Sequence, residues 1–277
     1  MIKPLIYSLS VASLLMGTPE TFAQTKSSYN YTAAFNPVFY KNNGSVYRSA
    51  MGKPGHEYWQ NSADYIIKAR LNELDNQISG SVSISYTNNS PDELPYIWLQ
   101  LDQNLFTENS RGQEVIPLDE SRYGSPNSNF KGGYTLNNLK LANGQNLSYA
   151  IYDTRMRIEL PEALRAKGGS IKIDMDYSYT IPEFGADRTG ILNTKNGKIF
   201  AIAQWYPRVC VYDDILGWNT EPYTGPGEFY LEFGNYQFEI TAPANHVVVA
   251  GGELLNPTEV WSKEELERYN KAKQSDK

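Results

Sequence analysis

The chain has 277 residues, of which 40% are hydrophobic and 20% charged, enough for one large or two small domains with a buried core. The formal net charge is −6 and no long basic run is present, so a nucleic-acid-binding role has little electrostatic support. The 21 tyrosines, 21 glycines and 15 prolines favour β-structure with many turns over a helical bundle.

The first segment has the pattern of an export signal. Lys3 supplies a short positive region, residues 5–16 are mostly apolar, and Thr21-Phe22-Ala23 offers a small-residue cleavage site. An uncleaved membrane anchor is the alternative, but about 12 apolar residues fall short of the roughly 20 that span a bilayer. We therefore predict a signal peptide over residues 1–23, a periplasmic or secreted mature protein, and no membrane span after cleavage.

The next segments predict an arm followed by strands. Residues 24–60 are polar with scattered aromatic side chains, and we predict an irregular N-terminal arm. A period-two apolar pattern begins at Asp64. In residues 78–86 apolar side chains alternate with serines, which is typical of a strand with one buried face. Residues 96–101 predict a further strand after a turn.

The rest of the chain continues the β pattern and ends in a helix. Residues 107–133 read as a long loop, and an Asn143-Gly144 pair predicts a hairpin turn. Further strands are predicted at residues 134–141, 147–152, 155–160, 171–179, 199–205, 229–241 and 246–250. Ser262 and Glu265 fit a capping box, which predicts a helix over residues 263–274.

These elements predict an all-β fold. Many short strands without alternating helices favour an antiparallel saddle or a β-sandwich-like domain. We place this domain at residues 61–255. One short C-terminal helix and its connection follow at residues 256–277.

The residues that usually carry catalysis are sparse. Zinc hydrolysis needs clustered ligands such as His-Glu-x-x-His, and neither His56 nor His246 has a second histidine at ligand spacing. Cys210 is the one cysteine; its apolar neighbours favour a small buried side chain over a reactive thiol. We expect no catalytic residues, no metal ligands and no cofactor in this chain.

Two acidic pairs offer an alternative, because neighbouring carboxylates divide acid and base roles in glycosidases. Asp174 and Asp176 fall on the outward, solvated face of their predicted strand. Asp213 and Asp214 precede a turn, where aspartates hydrogen-bond backbone amides. We predict structural roles for both pairs, with ion or partner binding as the alternative for the second.

Five aromatic residues lie close together in sequence, and they are Trp205, Tyr206, Tyr212, Trp218 and Tyr223. Such a group stacks on sugars or peptide side chains when it is exposed. We predict a packing cluster in the core or between domains, and keep the binding surface as the alternative.

Several segments in order resemble the opening of bacterial, exported aminopeptidase N-like zinc metallopeptidases. They are Tyr58-Trp59-Gln60, Asp64-Tyr65-Ile66-Ile67, Leu71-Asn72-Glu73, the Gly80-containing strand that ends Tyr86-Thr87-Asn88-Asn89-Ser90-Pro91, the run from Ile97 to Phe106, the run from Gln204 to Asp214, and the run from Gly225 to Gly234. Together they cover about residues 55–277. The Gln204 to Asp214 run only approximates the Phe-Pro-Cys-Phe-Asp-Glu-Pro-like form of better-known members.

The resemblance implies an N-terminal saddle-shaped β domain that leans against a thermolysin-like catalytic domain. In the family that domain carries a Gly-x-Met-x-Asn strand, a His-Glu-x-x-His helix and the zinc, and this sequence contains neither motif. The expected chain is thus a non-catalytic fragment, truncated before the catalytic domain. Its expected partners are that zinc domain, in cis or in trans, and a peptide substrate.

The resemblance also implies one substrate-binding residue. The family's β domain lends a glutamine to the substrate cleft, and Gln204 is the positional match. The alternatives are a hydrogen-bonded glutamine at a strand end and, for the whole chain, a stand-alone secreted β-sandwich module that binds peptide or glycan.

Overall fold

The computed structural model describes residues 44–115, 130–183, 188–227 and 229–275. The predicted signal peptide and residues 24–43 of the predicted arm lie outside the described residues. Residues 44–60 are irregular apart from an isolated bridge between Arg48 and Pro54.

Strands are the main regular structure of the described residues. The strands are β1 Ser62–Asn72, β2 Gln77–Asn88, β3 Leu94–Gln100, β4 Thr135–Leu141, β5 Ser148–Tyr152, β6 Arg155–Leu164, β7 Gly169–Thr180, β8 Gly190–Thr194, β9 Gly197–Ala201, β10 Arg208–Val209, β11 Tyr212–Asp213, β12 Gly217–Trp218 and β13 Tyr236–Thr241. The helices are a 3-10 helix at Asp102–Phe106, α1 Arg111–Val115, α2 Pro257–Val260 and α3 Lys263–Lys273. The prediction of an all-β domain with a short C-terminal helix is confirmed.

The larger sheet has the strand order β13-β1-β2-β7-β4. β1, β2 and β7 are long antiparallel neighbours whose side chains alternate between buried and more exposed positions. The serines of β2 lie on the outer face while Val82, Ile84 and Tyr86 face the core, as the sequence pattern predicts.

One strand pair departs from the antiparallel expectation. β13 pairs with β1 in parallel, with Tyr65 opposite Tyr236 and Ala69 opposite Ile240. Two bonds precede this ladder, from the Ala63 amide to the Phe233 carbonyl at 3.0 Å and from the Tyr65 amide to the Asn235 carbonyl at 2.8 Å. β13 is an edge strand, and of the four strand pairings in this sheet its pairing with β1 joins the residues that are farthest apart in sequence.

A second sheet, with the order β10-β3-β6-β5, packs against the first. Both contribute to one apolar core, in which Leu99 and Met156 of the second sheet and Ile84 and Ile173 of the first are almost fully buried. The fold is thus a two-layer sandwich, with hairpins β8–β9 and β11–β12 attached.

The C-terminal region contains one wrong prediction and one confirmed prediction. Residues 246–250 form no strand, although their valines have high β-propensity, and the His246 amide closes a turn onto the Pro243 carbonyl at 3.0 Å. Ser262 and Glu265 cap α3 reciprocally, as predicted. No helix in the described ranges is long and apolar enough to cross a bilayer.

Candidate functional site

Gln204 lies in the loop between β9 and β10 and has an unusual backbone conformation. Its φ is 52°, in the left-handed region that non-glycine residues rarely adopt. Its carbonyl oxygen accepts hydrogen bonds from Gln103 Nε2 at 3.1 Å and from the Tyr134 hydroxyl at 2.9 Å. The structure thus fixes the peptide group of the predicted substrate-binding residue from two sides.

The two donors belong to different layers of the sandwich. Gln103 lies in the 3-10 helix that follows β3, and it is 2% exposed. Tyr134 directly precedes β4, and its amide donates to Asn104 Oδ1 at 2.9 Å. The two hydrogen bonds that hold the Gln204 carbonyl therefore depend on how the two sheets pack against each other.

The Gln204 side chain lies next to Tyr223, which is 8% exposed. Burial raises the pKa of the Tyr223 hydroxyl, and a hydrogen bond with the Gln204 side chain acts in the opposite direction. Tyr223 is itself fixed, because its amide donates to Thr154 Oγ1 at 2.7 Å. Gln204 as a whole residue is only partly buried.

Beneath the loop lies a buried ion pair. Arg208 Nη2 is 2.7 Å from Asp102 Oδ1, and the two side chains are 14% and 0% exposed. Burial raises the pKa of Asp102, while the charge and hydrogen bonds of Arg208 act against that rise. Burial lowers the pKa of Arg208, but the attraction of Asp102 outweighs it and leaves that pKa above its ordinary value. The pair ties the 3-10 helix to β10.

The five predicted aromatic residues pack onto other rings, as predicted. Tyr206 meets Tyr65 edge to face at 5.6 Å. Tyr212 stacks on Trp59 at 5.8 Å and meets Trp218 at 5.2 Å. The contacts fall into three groups, which are Trp205 with Tyr206, Tyr212 with Trp218, and Tyr223 with Phe229.

Asp213 and Asp214 have the predicted structural roles. Asp213 Oδ1 accepts from the amides of Ile215 at 2.9 Å and Leu216 at 2.8 Å, which closes the β11–β12 turn. Asp214 accepts from Arg48 Nη2 at 2.7 Å and from its Nε at 3.1 Å. The ion pair fastens the arm to the hairpin.

Asp174 and Asp176 lie on the outer face of β7, as predicted, beside a shallow groove. Ser83 donates to Asp174, and Asn138 Nδ2 donates to Asp176 Oδ2 at 2.6 Å. Lys140 also lines the groove. Both carboxylates are thus tied into the surface of the sheet.

The two histidines and the cysteine have separate environments. His56 is exposed, and His246 Nε2 lies 2.7 Å from Glu73 Oε2. Cys210 is fully buried, and burial raises the pKa of its thiol, which confirms the prediction of an inert side chain. Among the described residues, no group of three or more His, Cys, Asp or Glu side chains is placed to hold a metal ion.

Gln103 and Tyr134 were not singled out by the sequence. Gln103 sits in a run that looks like the end of a strand, and Tyr134 opens another strand after a long loop. No motif links either residue to Gln204, which follows about seventy or a hundred positions later. Only the docking of the two sheets brings the three together.

No family model matches the chain, and no curated protein matches it. Solved structures of M1 zinc metallopeptidases do match. A Deinococcus radiodurans mutant bound to a Tyr-Ser-Ala substrate gives a TM-score of 0.35 at 14% identity, over 69% of this chain and 35% of that chain. A two-domain M1 mutant bound to L-tryptophan gives 0.36 at 15% identity, over 69% and 35%. This chain spans about a third of the length of those structures, and TM-scores of this size assign it no activity.

Proposed function

We propose that this chain is a non-catalytic N-terminal β domain, or a fragment of one, of a zinc-dependent aminopeptidase. The parent enzyme removes N-terminal residues from peptides in the periplasm or outside the cell. In it, the β domain packs on a zinc catalytic domain, supplied in cis or in trans, and shapes the substrate cleft. The segments between Tyr58 and Gly234 that resemble aminopeptidase N-like metallopeptidases, in the same order along the chain, support this proposal.

The observation that carries the proposal is the conformation of Gln204. A left-handed backbone at a residue with a side chain costs of order 1–3 kcal/mol, and such residues cluster at functional sites. Here the conformation coexists with a backbone carbonyl that accepts two hydrogen bonds, at a residue that is only partly buried. A carboxamide oxygen held in this way is a suitable acceptor for the ammonium group of a peptide.

The surface around β13 supports a protein partner. Tyr236, Phe238 and Ile240 are 43%, 36% and 37% exposed, and Val247 and Val249 nearby are 69% and 89% exposed. Exposed apolar side chains gathered along a sheet edge are typical of surfaces that another domain covers. A catalytic domain docked there would shield both the side chains and the strand edge.

The first test asks whether the chain acts alone. Residues 24–277 are expressed and incubated with an aminoacyl-fluorophore and zinc, and we expect no turnover. Reading the gene beyond the codon for Lys277 should reveal Gly-x-Met-x-Asn and His-Glu-x-x-His, in frame or in a neighbouring gene. Metal-dependent cleavage that survives repurification of the chain would refute the proposal. The lack of any such catalytic partner would favour a stand-alone binding module.

The second test asks what Gln204 does in the assembled enzyme. Losing one hydrogen bond to a charged group costs about 1.5–3 kcal/mol, so Gln204→Ala should lower kcat/KM by roughly 10–100-fold. Gln145→Ala changes an exposed glutamine in a hairpin turn and serves as the matched control. Equal kcat/KM values for the two variants would contradict a role of Gln204 in substrate binding.

A further inference from the structure

We infer that Gln103 and Tyr134 are positioning residues, which lock the loop of Gln204 so that its carboxamide faces the substrate cleft in one orientation. The functional part of this inference rests on the proposed role of Gln204. The structural part, a lock on the loop, rests on hydrogen bonds and burial alone.

The Gln103 carboxamide binds two successive carbonyl groups. Its Nε2 lies 3.1 Å from the Ala203 oxygen and 3.1 Å from the Gln204 oxygen. In an extended chain successive carbonyls point to opposite sides, so one nitrogen reaches both only if the backbone turns between them. The left-handed φ at Gln204 provides that turn. The hydrogen bonds and the strained backbone therefore depend on each other.

Tyr134 adds a third hydrogen bond, from a donor that is rigid and always protonated. Its ring meets Tyr177 and Tyr179 edge to face, at 5.9 and 5.5 Å. Burial raises the pKa of Tyr134 well above its ordinary value, so the hydroxyl keeps its proton at any physiological pH. With two donors on one oxygen, the Gln204 carbonyl has no lone pair left for another partner.

The orientation of Gln103 costs stability, which argues against a role in packing alone. Its Oε1 is buried without a hydrogen-bond partner. Flipping the amide would put that oxygen against the carbonyls of Ala203 and Gln204, so the observed orientation is the better of two incomplete ones. A leucine would fill similar space without an unsatisfied acceptor. The hydrogen bonds from its Nε2 to the Ala203 and Gln204 carbonyls therefore explain why a glutamine occupies this position.

The lock is tested first by amide hydrogen exchange in the chain itself. Gln103→Leu and Tyr134→Phe should each speed exchange in residues 203–206 by about tenfold, because each removes hydrogen bonds that hold the loop closed. The matched controls Gln145→Leu and Tyr149→Phe alter exposed residues and should leave it unchanged. Circular dichroism checks that the variants fold. If Gln103→Leu does not fold, Tyr134→Phe still tests the inference, because it removes only a single oxygen atom. Unchanged exchange at 203–206 in a folded variant would overturn the inference.

The second measurement uses the assembled enzyme and separates KM from kcat. Gln103→Leu should raise KM about as much as Gln204→Ala, and the double variant should be no worse than Gln204→Ala alone. If Gln204→Ala raises KM and Gln103→Leu does not, the positioning role is wrong while the proposed function stands. If Gln204→Ala leaves KM unchanged, the proposed role of Gln204 fails, and the functional part of the inference fails with it.

Discussion

Replacing Arg208 by methionine tests how far the buried ion pair supports the loop of Gln204. The substitution keeps an unbranched side chain and removes the guanidinium. It leaves the Asp102 carboxylate, whose side chain is 0% exposed, without its counter-charge. Removing one partner of a buried pair costs about 3–5 kcal/mol, because the remaining charge is neither solvated nor paired.

A surface pair on the same fold provides the matched control. Arg157 Nη2 lies 2.5 Å from Glu159 Oε1, but the two side chains are 37% and 44% exposed. Arg157→Met should therefore change the stability little, because solvent screens an exposed pair. At about 2–4 °C per kcal/mol for a domain of this size, Arg208→Met should lower Tm by roughly 10 °C, and Arg157→Met by a few degrees at most.

Urea denaturation compares the free energies of unfolding of four proteins. They are the wild type, Arg208→Met, Arg157→Met and the double variant Asp102→Leu/Arg208→Met. The double variant should recover most of the loss, because two apolar side chains replace two desolvated charges. A cost for Arg208→Met no larger than that for Arg157→Met would refute the reasoning, as would a double variant less stable than Arg208→Met.

The same variant should respond to pH. Burial raises the pKa of Asp102 in the folded protein, and the guanidinium opposes that rise, so the pKa rises further in Arg208→Met. A carboxyl whose folded pKa is raised favours the folded state when protonated, and this contribution is lost as pH increases through the folded pKa. The stability deficit of the variant should therefore shrink as pH falls from 8 towards 5.

Three further predictions concern single side chains. Burial raises the pKa of Glu232 to about 7, so the free energy of unfolding should fall by about 1–2 kcal/mol between pH 5 and 8 in urea titrations, and Glu232→Gln should abolish that fall. Gly80→Ala places a Cβ 2.3 Å from the Lys68 oxygen and should cost about 1–3 kcal/mol, whereas Gly227→Ala, with no atom within 4 Å, should be neutral. Cys210 should resist a thiol reagent in the native protein and react fully in urea.

The central strands could be predicted because their environment is simple. β1, β2 and β7 each have one buried and one outer face, so the period of two in the sequence directly reports the pleat. The capping box of α3 was likewise readable, since all its hydrogen bonds are local.

Pairing over long distances could not be predicted in this way. The valines at 247–249 have strand propensity, but they find no partner strand in the described structure and remain exposed. β13 pairs with β1 in parallel, a choice that no local pattern encodes. Gln204 was singled out through resemblance, whereas its left-handed φ has no sequence signal, because glycine and asparagine are the residues usual there.

The position of β13 sets the order in which the sheet comes apart. Asp64 and Asn235, which meet where β1 and β13 begin to pair, are 171 residues apart in sequence, whereas β1 and β2 are joined by a short turn. Closing so long a loop costs about 3 kcal/mol more than closing a short hairpin. β13 is an edge strand whose residues are all exposed, so it should open before β1, β2 and β7 separate. Each opening bares the inner edge of β1, so a domain that covers β13 would also protect the core of the sandwich.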